Sequence, residues 1–481
     1  MSLSLCVPVS GCHGWVKIDA LMWIIPHVTS VLGFLLAVLL LSRILREHRP
    51  PASTLAWLLS IVLVPYVGVP LYFLIGGRKH RRLAARKEQL YSQSESLPLD
   101  NVPHSIERIL LTGGAPRTTV GDRIQLLRSG EETFKVMMDL FAAARRTIDV
   151  STFILGGDET GDAVVDALSA KAQEGVQVRL LLDGLFLFRT KRSQFQRVTK
   201  AGGRVAIFMP ILRLPFRGPA NLRNHRKIIV VDGEHAIVGG MNLAAEYMGA
   251  TPRPDRWLDV GCLLEGPAVA HVHNVFRSDW SFAAHSTLDE RANEPYPLLK
   301  RAGDASLQVV ASGPDVPGDT YYDAVLTALF QARERIWVAT PYFIPDEAIA
   351  RGLVLASRRG VDVKVIVPER SNHLSADISG GSYLRQIESV GGQVRPYQPG
   401  MMHAKVMLID HEIAVLGSAN LDMRSLFLDY EIALFVYTRP EIELFGGWFE
   451  DLLRECGPSL PEPGRLRALA EDFGRLLAPL L

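Results

Sequence analysis

The sequence contains the stretch NHRKIIVVDGEHAIVGGMN at residues 224–242 and a related stretch, MHAKVMLIDHEIAVLGSAN, at residues 402–420. Each has a histidine, a lysine two positions later, an aspartate after four apolar residues, and an asparagine near its end. Corresponding residues are 178 positions apart, both for the histidines (403 − 225) and for the asparagines (420 − 242). Two such strings at one constant offset indicate a duplicated unit.

Each stretch predicts a β-hairpin. The apolar runs 228–231 and 406–409 have the composition of strands, and the turn residues that follow them predict return strands. Residues i and i+2 of a strand project to the same face, so the histidine and lysine of each copy should project together. These pairs are His225 with Lys227 and His403 with Lys405.

The duplication extends beyond the hairpins. A helix end followed by an apolar strand occurs at 144–150 and again at 332–338, and further strands begin after paired glycines. Alternating helices and apolar strands predict an α/β fold, a sheet layered with helices and built twice. We place the two similar α/β/α sandwich domains at 105–295 and 296–481, after an N-terminal anchor (1–91) and a polar linker (92–104).

Two uncharged apolar runs near the N-terminus predict a membrane anchor. As helices, 21–41 and 54–75 would be about 32 and 33 Å long, enough for the ~30 Å hydrocarbon layer. A cleavable signal peptide would need a basic start and a shorter apolar run. Pro65 and Pro70 leave two paths open for this two-helix hairpin, which either spans the membrane fully or is re-entrant.

The placement of arginine and lysine predicts the orientation of the hairpin. Six basic residues follow the second run, and three lie between the runs. The six are Arg78, Lys79, Arg81, Arg82, Arg86 and Lys87, and the three are Arg43, Arg46 and Arg49. This excess predicts that the body of the protein lies on the cytoplasmic side.

The paired histidines and lysines indicate chemistry on a phosphodiester. If the two halves pack about a pseudo-twofold axis, both motifs face one pocket that is cationic, rich in donors and poor in carboxylates. Lysines and amides can hold the non-bridging oxygens, one neutral imidazole can attack phosphorus, and the other can protonate the leaving group. We expect no metal and no other cofactor.

Further residues of the motifs have expected roles in the same pocket. Asp259 and Glu431 are candidates to orient the histidines, and Asn242 and Asn420 are candidate substrate donors. Gly240 and Ser418 would let the backbone approach the substrate, with the Ser418 hydroxyl on the His403 side. That hydroxyl suits His403 as the acid and His225 as the nucleophile. Asp232 and Asp410 belong to the catalytic signature, where they should stabilise the loops.

Composition excludes some classes of protein. The chain has 481 residues, of which 48% are hydrophobic, so it can form a sizeable core and is not disordered. Its 52 basic and 51 acidic residues nearly cancel, and nucleic-acid binders usually have a basic excess. The four cysteines are scattered and form no metal-ligand spacing.

These motifs resemble the phospholipase D superfamily, and most closely the bacterial cardiolipin synthases. The resemblance covers most of the chain and is carried by residues 221–227, 239–242 and 417–425, with support from the N-terminal hairpin and the ending 476–481. It implies a membrane enzyme that joins two phosphatidylglycerols into cardiolipin and releases glycerol through a phosphatidyl-histidine. It also implies a multi-pass protein of the bacterial inner membrane with anionic lipid, and no nucleic acid, as its partner.

The chain departs from the pattern of that family at Leu258, at residues 184–186 and at Asp429. These departures leave other functions open: a phosphatidyltransferase with a different acceptor, a hydrolytic phospholipase D or, further away, a nucleic-acid phosphodiesterase. The loops 185–188 and 211–217 combine apolar and basic residues and are candidates for lipid contact or for ordinary packing. The helix predicted around 465–477 has an apolar stripe, which we expect to face the core.

Overall fold

The computed structural model describes residues 51–64, 66–69, 87, 89–91, 104–210, 222–284 and 299–477, together with Val28, Val31, Val38 and Tyr72. The chain divides into two compact units. The smaller contains the helix α1, and the larger, Lys79–Ala478, contains every strand that the structure describes.

After α1, which belongs to the smaller unit, strands and helices alternate through the larger unit. The helices are α1 (Pro51–Leu63), α2 (Ser105–Thr112), α3 (Gly130–Ala143), α4 (Glu159–Gln173), α5 (Arg192–Lys200), α6 (Ala268–Ala284), α7 (Thr320–Gln331), α8 (Glu347–Arg358), α9 (Leu374–Glu388), α10 (Met423–Phe427), α11 (Arg439–Arg454) and α12 (Arg465–Leu477). The strands of the first half are β1 (Thr119–Leu127), β2 (Thr147–Thr152), β3 (Gln177–Asp183), β4 (Arg204–Phe208), β5 (Ile228–Val231), β6 (His235–Gly239) and β7 (Gly261–Glu265). Those of the second half are β8 (Ala305–Ser312), β9 (Arg335–Ala339), β10 (Phe343–Ile344), β11 (Asp362–Pro368), β12 (Gln393–Tyr397), β13 (Val406–Ile409), β14 (Ile413–Gly417), β15 (Leu421–Asp422) and β16 (Glu431–Val436).

One 14-stranded sheet runs through both halves. Outward from its middle, the first half has the order β1-β7-β6-β5-β2-β3-β4, and the second has β8-β16-β14-β13-β9-β11-β12. The halves join where β1 pairs antiparallel with β8, with Thr119 opposite Leu307. The strand order of one half therefore repeats in the other, and the α/β class and the two-part architecture are confirmed.

Helix caps repeat between the halves as well. Asp158 caps α4 by accepting the amide of Gly161 at 3.0 Å, and Asp346 caps α8 by accepting the amide of Ile349 at 3.0 Å. A carboxylate at this position satisfies an amide that has no partner inside the helix and interacts well with the helix dipole. Both helices thus begin at an aspartate, six residues after the end of β2 in the first half and seven after the end of β9 in the second.

The apolar strands form a core that the two halves share. One cluster of buried side chains includes Ile228 and Val238 from the first half and Val406 and Leu416 from the second. Removing such side chains from water is the main favourable contribution to folding. Because this cluster crosses the β1–β8 join, the halves are held together by packing as well as by backbone hydrogen bonds.

Each hairpin turns at an aspartate with a left-handed backbone, at φ 54° for Asp232 and φ 50° for Asp410. The carboxylate of Asp232 accepts the amides of residues 145–147, at 2.9, 2.6 and 2.8 Å. The carboxylate of Asp410 accepts the amides of residues 333–335 in the same way. Burial opposes ionisation of Asp232, but these amides outweigh it and lower the pKa of this carboxyl. Both aspartates therefore tie their hairpin to the start of a neighbouring strand.

The N-terminal unit is described only in part. Its helix α1 has 13 residues, and Trp57 packs edge-on against Tyr72 with ring centroids 5.4 Å apart. Among the described residues, no helix combines the length and the apolar character needed to cross a bilayer. Several predicted features lie outside the described residues. These are most of the run 21–41, the second run after residue 69 except for Tyr72, the linker residues 92–103, and the domain boundary at 295–296.

The prediction that the apolar stripe of the C-terminal helix faces the core is wrong. On α12, Leu466, Leu469 and Phe473 are 85%, 68% and 61% exposed, whereas Glu471 is 2% exposed. Glu471 faces α9, where its carboxylate accepts from Arg385 at 2.9 Å. Glu471 and Gly474 face α9, and this packing turns Leu466, Leu469 and Phe473 outward.

We expect Asp232→Ala to lower the free energy of unfolding by about 2–3 kcal/mol, because three amides lose their acceptor at a backbone conformation that alanine disfavours. Chemical or thermal unfolding of the purified full chain in detergent measures this loss. Glu234→Ala is the matched control, since its ion pair with Arg146 is exposed and should contribute less than about 0.5 kcal/mol. Equal losses in the two variants would contradict the bracing role of Asp232.

Candidate active site

The two histidine motifs enter the sheet at corresponding places. His225 and Lys227 precede β5, and His403 and Lys405 precede β13. Both hairpins lie in the interior of their half of the sheet, with further strands on each side, and the residues at their entrances are largely buried. Each histidine is therefore positioned by a strand that is itself held on both sides.

The imidazole of His225 binds a carboxylate of the second half. Its Nδ1 lies 2.9 and 3.2 Å from the two carboxylate oxygens of Glu431, the first residue of β16. The backbone supports this contact, since the amide of His225 donates to the carbonyl oxygen of Tyr430 and the amide of Tyr430 donates to that of Arg223, both at 2.9 Å. This short parallel bridge places His225 beside Glu431.

The imidazole of His403 binds a carboxylate of the first half in the same manner. Its Nδ1 lies 2.7 Å from Oδ2 of Asp259. The amide of Leu258 donates to the carbonyl oxygen of Met401 at 2.9 Å, and the amide of His403 donates to that of Leu258 at 2.6 Å. In both pairs the carboxylate and the histidine come from different halves, which the sequence had left open.

A lysine accompanies each histidine. The Nζ atom of Lys227 donates to the carbonyl oxygen of His225 at 2.7 Å and lies 5.3 Å above the ring of Phe153. The Nζ atom of Lys405 lies 2.8 Å from Nδ1 of His403 and also donates to the carbonyl oxygen of that residue. Burial lowers the pKa of Lys227 to about 7 and that of Lys405 to about 8, although nearby carboxylates act in the opposite direction. Both ammonium groups would gain from an anionic ligand.

The electrostatics of the pocket favour neutral imidazoles. Burial and then the charges of Lys227 and Lys405 lower the pKa of His225 well below its usual value. Burial and the same two lysines likewise lower the pKa of His403. Nδ1 of His225 faces the Glu431 carboxylate and so carries the proton, which leaves Nε2 with a lone pair suited to nucleophilic attack. Nδ1 of His403 lies close to both the Asp259 carboxylate and the Lys405 ammonium group.

The two carboxylates are also perturbed. Burial raises the pKa of Asp259 to about 6 and that of Glu431 to about 7, against the opposing charges of the lysines. The Oγ atom of Ser418 donates to the Glu431 carboxylate, and Glu431 in turn binds His225. The Ser418 hydroxyl is thus on the His225 side, which corrects its expected place beside His403.

The remaining motif residues are used in different ways. A side chain at Gly240 would lie 2.7 Å from both carboxylate oxygens of Asp259, so only glycine leaves this carboxylate its space. Asn242 accepts the amide of Ile154 at 3.2 Å. By contrast, Oδ1 of Asn420 is buried and has no hydrogen-bond partner within the described part of the chain. Because an amide oxygen accepts and does not donate, this Oδ1 can bind a hydroxyl group of a ligand but not an anionic oxygen.

Asp232 and Asp410 are the members of the signature that the structure separates from the histidines. Each follows the last residue of β5 or β13, whereas the histidine and lysine precede the same strand. Their carboxylates bind backbone amides at that end, as described above. Their place in the motif reflects the construction of the hairpin, and neither carboxylate takes part in the cluster around the imidazoles.

Aromatic side chains surround the histidines, and sequence reasoning missed them. Phe153 meets His225 edge-on at 4.8 Å between ring centroids, and Tyr247 meets His403 in the same way at 5.1 Å. Nothing in the local pattern separates these rings from ordinary core residues. In the candidate lipid loop 185–188, Phe186 packs on Phe153, and Phe188 is 79% exposed. The other candidate loop, 211–217, lies outside the described residues.

No group of three or more histidine, cysteine, aspartate or glutamate side chains suited to a metal ion occurs among the described residues. The pocket instead presents two histidine–carboxylate pairs, two lysines and an amide with unmet hydrogen-bonding capacity. The lysines of this set can hold an anionic tetrahedral group, and its imidazoles can attack phosphorus and transfer a proton.

Comparison with protein families identifies the same regions. The family described as "Cardiolipin synthase, PLD-like domain" matches residues 137–280 and 325–453, so that each match contains one histidine motif. The family described as "Phospholipase D-nuclease N-terminal" matches residues 35–77.

Relatives match along nearly the whole chain. Cardiolipin synthase 1 of Bacillus anthracis is 33% identical over 463 residues, covering 90% of each chain. A cardiolipin synthase of Halalkalibacterium halodurans is 31% identical and covers 100% of this chain and 97% of its own. Among solved structures, a phosphatidylserine synthase from Haemophilus influenzae covers 79% of this chain with a TM-score of 0.60 and 16% identity, a likeness of fold. The chain therefore belongs to the cardiolipin synthase family of the phospholipase D superfamily.

Proposed function

We propose that this protein is a cardiolipin synthase that transfers a phosphatidyl group from one phosphatidylglycerol to a hydroxyl of another. The two histidine–carboxylate pairs, each built from both halves around two buried lysines, are the observation that carries the proposal. Membership of the family over most of the chain supports the same reaction. Phosphatidylglycerol carries an anionic phosphodiester, which matches a pocket that contains the ammonium groups of Lys227 and Lys405.

In the first step, Nε2 of neutral His225 attacks the phosphorus of the donor lipid. The anionic phosphodiester offsets the lysine charges and so favours protonation of His403 in the complex. The bond between phosphorus and the glycerol oxygen breaks, and His403 gives its proton to that oxygen, so that glycerol leaves. Lys227 and Lys405 donate to the non-bridging oxygens, where charge develops, and Asn420 donates to them through its Nδ2 group. Glu431 keeps the proton of His225 on Nδ1 and stabilises the positive charge that forms on the ring.

In the second step, the roles of acid and base reverse. His403, now neutral, removes the proton from a hydroxyl of a second phosphatidylglycerol. The resulting oxygen attacks phosphorus, the bond to Nε2 of His225 breaks, and cardiolipin forms. Asp259 orients His403 in both steps because it binds Nδ1 and leaves Nε2 facing the substrate.

We also infer that the N-terminus forms a two-helix membrane hairpin and that the body acts at the cytoplasmic face of the bacterial inner membrane. The two apolar runs, the basic residues after them and the family match at 35–77 support this arrangement. The repeated strand order and the mirrored histidine–carboxylate contacts support a pseudo-twofold relation between the halves. Anionic lipid, and no nucleic acid, is then the partner of the protein.

We expect His225→Ala and His403→Ala each to abolish cardiolipin formation, because each half supplies one of two different groups. Lys227→Met and Lys405→Met should lower the rate about 10²–10³-fold, the usual loss for a donor that stabilises charge in the transition state. Cardiolipin and glycerol are measured from phosphatidylglycerol in mixed micelles. As the control, His235→Ala changes a partly exposed histidine of β6 and should keep its rate. Near-normal turnover of either motif variant would refute the shared site.

We expect the covalent intermediate to form on His225. A phosphatidyl donor with a leaving group that needs no protonation should load His403→Ala and then accumulate, because this variant lacks the base for the second step. Mass spectrometry of the quenched, digested protein locates the phosphatidyl group. A modified His403 in the wild-type chain would reverse the two roles and leave the rest of the mechanism standing.

We expect Lys227→Met to move the acidic limb of the kcat/KM profile to higher pH. Burial and the Lys227 charge hold the pKa of His225 low, so removing the charge raises this pKa, and the nucleophile becomes protonated at higher pH. The residual activity of the variant is measured between about pH 5 and 8. Lys227→Arg keeps the charge and should keep the limb in place, whereas an unmoved limb in Lys227→Met would contradict the electrostatic argument.

A further inference from the structure

Four buried charged side chains meet behind the first histidine motif. They are Lys87, Arg226, Asp279 and Asp315, and each side chain is at most 1% exposed. The Nζ atom of Lys87 lies 2.5 Å from Asp279 and also contacts Asp315. Arg226 contacts Asp279 at 2.7 Å and Asp315 at 3.1 Å. Two positive and two negative charges cancel only while all four residues are present.

Lys87 belongs to the segment that precedes the first half. In the sequence it is one of six basic residues after the second apolar run, where a charge facing the cytoplasm is expected, but the structure buries it. The amide of Leu90 donates to the carbonyl oxygen of Asp315 at 3.0 Å, and the amide of Ala311 donates to the hydroxyl of Tyr91 at 2.8 Å. This segment is therefore docked on the second half by both backbone and side chains.

The cluster contacts the residues on both sides of His225. Arg226 follows this histidine directly, and its Nε donates to the carbonyl oxygen of Glu431 at 3.0 Å. Asn224 precedes it, and its side-chain amide donates to Asp279 at 3.0 Å. The four charges thus hold the backbone around His225 and the residue that supplies its carboxylate.

This arrangement is specific to the first motif. Ala404 occupies the position in the second motif that Arg226 occupies in the first. A methyl group cannot bind carboxylates, so the contacts that Arg226 makes to Asp279 and Asp315 have no equivalent at Ala404. The cluster therefore acts on the histidine to which the nucleophilic role is assigned.

A neutral side chain at position 87 would leave one buried carboxylate charge uncompensated. Because an unpaired charge in the interior is strongly unfavourable, Arg226, Asp279 and Asp315 would have to rearrange or admit water. Any such rearrangement moves Asn224 and the Glu431 backbone, which are bonded to them. A displacement of about 1 Å at a reacting group can lower a rate about 100-fold.

We propose that Lys87 is a positioning residue for His225, so that the segment between the N-terminal anchor and the first half is a working part of the active site. The proposal rests on the role assigned to His225 under the proposed function. It assigns a purpose to a lysine that touches neither the substrate pocket nor solvent. It also makes the charge at position 87, rather than its packing alone, the property that matters.

The test compares Lys87→Met, Lys87→Arg, Asp315→Asn and the double variant Lys87→Met/Asp315→Asn in the full chain. We expect Lys87→Met to lower kcat about 100-fold with KM within about twofold, since substrate contacts are intact. Lys87→Arg should retain most activity. Asp315→Asn leaves an excess positive charge and should also lose kcat, whereas the double variant restores neutrality and should recover at least tenfold over either single variant.

Thermal unfolding is recorded for every variant, and Lys135→Met, an exposed lysine variant of α3, serves as the control that keeps its rate. If Lys87→Met does not fold, the comparison of Asp315→Asn with the double variant decides the question. A folded Lys87→Met with wild-type kcat, or a double variant no faster than the single variants, would overturn the proposal. His225→Ala is assayed in parallel, and full activity there would refute the role of His225 instead.

Discussion

The active site depends on two hydrogen bonds that cross between the halves, from His225 to Glu431 and from His403 to Asp259. Glu431 begins β16, and Asp259 lies two residues before β7. Each of these strands pairs with the hairpin of its own half, but each carboxylate binds the histidine of the other half. This requires the β1–β8 join, the shared core and the two short parallel bridges to bring the entrances of β5 and β13 together. A shift of one half against the other would break both pairs at once.

The charges of two lysines in the pocket are balanced by the charges of two carboxylates. Two ammonium groups, of Lys227 and Lys405, face two carboxylates that are already hydrogen-bonded to imidazoles. Burial raises the pKa of the carboxyls and lowers the pKa of the lysines, which means that keeping these groups charged inside the protein is energetically unfavourable. An anionic phosphodiester relieves that cost, because it offers both lysines a partner. Affinity for the substrate and readiness for the reaction thus have the same physical origin.

Much of this could be predicted from the sequence, because the decisive signals are local. The period of a strand places His225 with Lys227, and the constant offset of the motifs predicts the second copy. Longer-range features could not be read in this way: which carboxylate serves which histidine depends on how two distant bridges pair. For that reason the sequence predicts the Ser418 hydroxyl beside His403, whereas in the structure it donates to Glu431 on the His225 side. The sequence pattern of α12 predicts an amphipathic helix, but it does not predict which face packs inward. In the structure the inward face is the one on which Glu471 pairs with Arg385 of α9.

The exchange of carboxylates between the halves also bears on how such a protein can arise and change. A single ancestral copy would hold a histidine without its acid and could have worked only as a pair of identical chains. Fusion of two copies removes that need for association and frees each to mutate alone. The differences already present, Gly240 against Ser418 and Arg226 against Ala404, are changes that two identical subunits could not have acquired separately. A single chain with two motifs can therefore carry different residues at corresponding positions of the two copies.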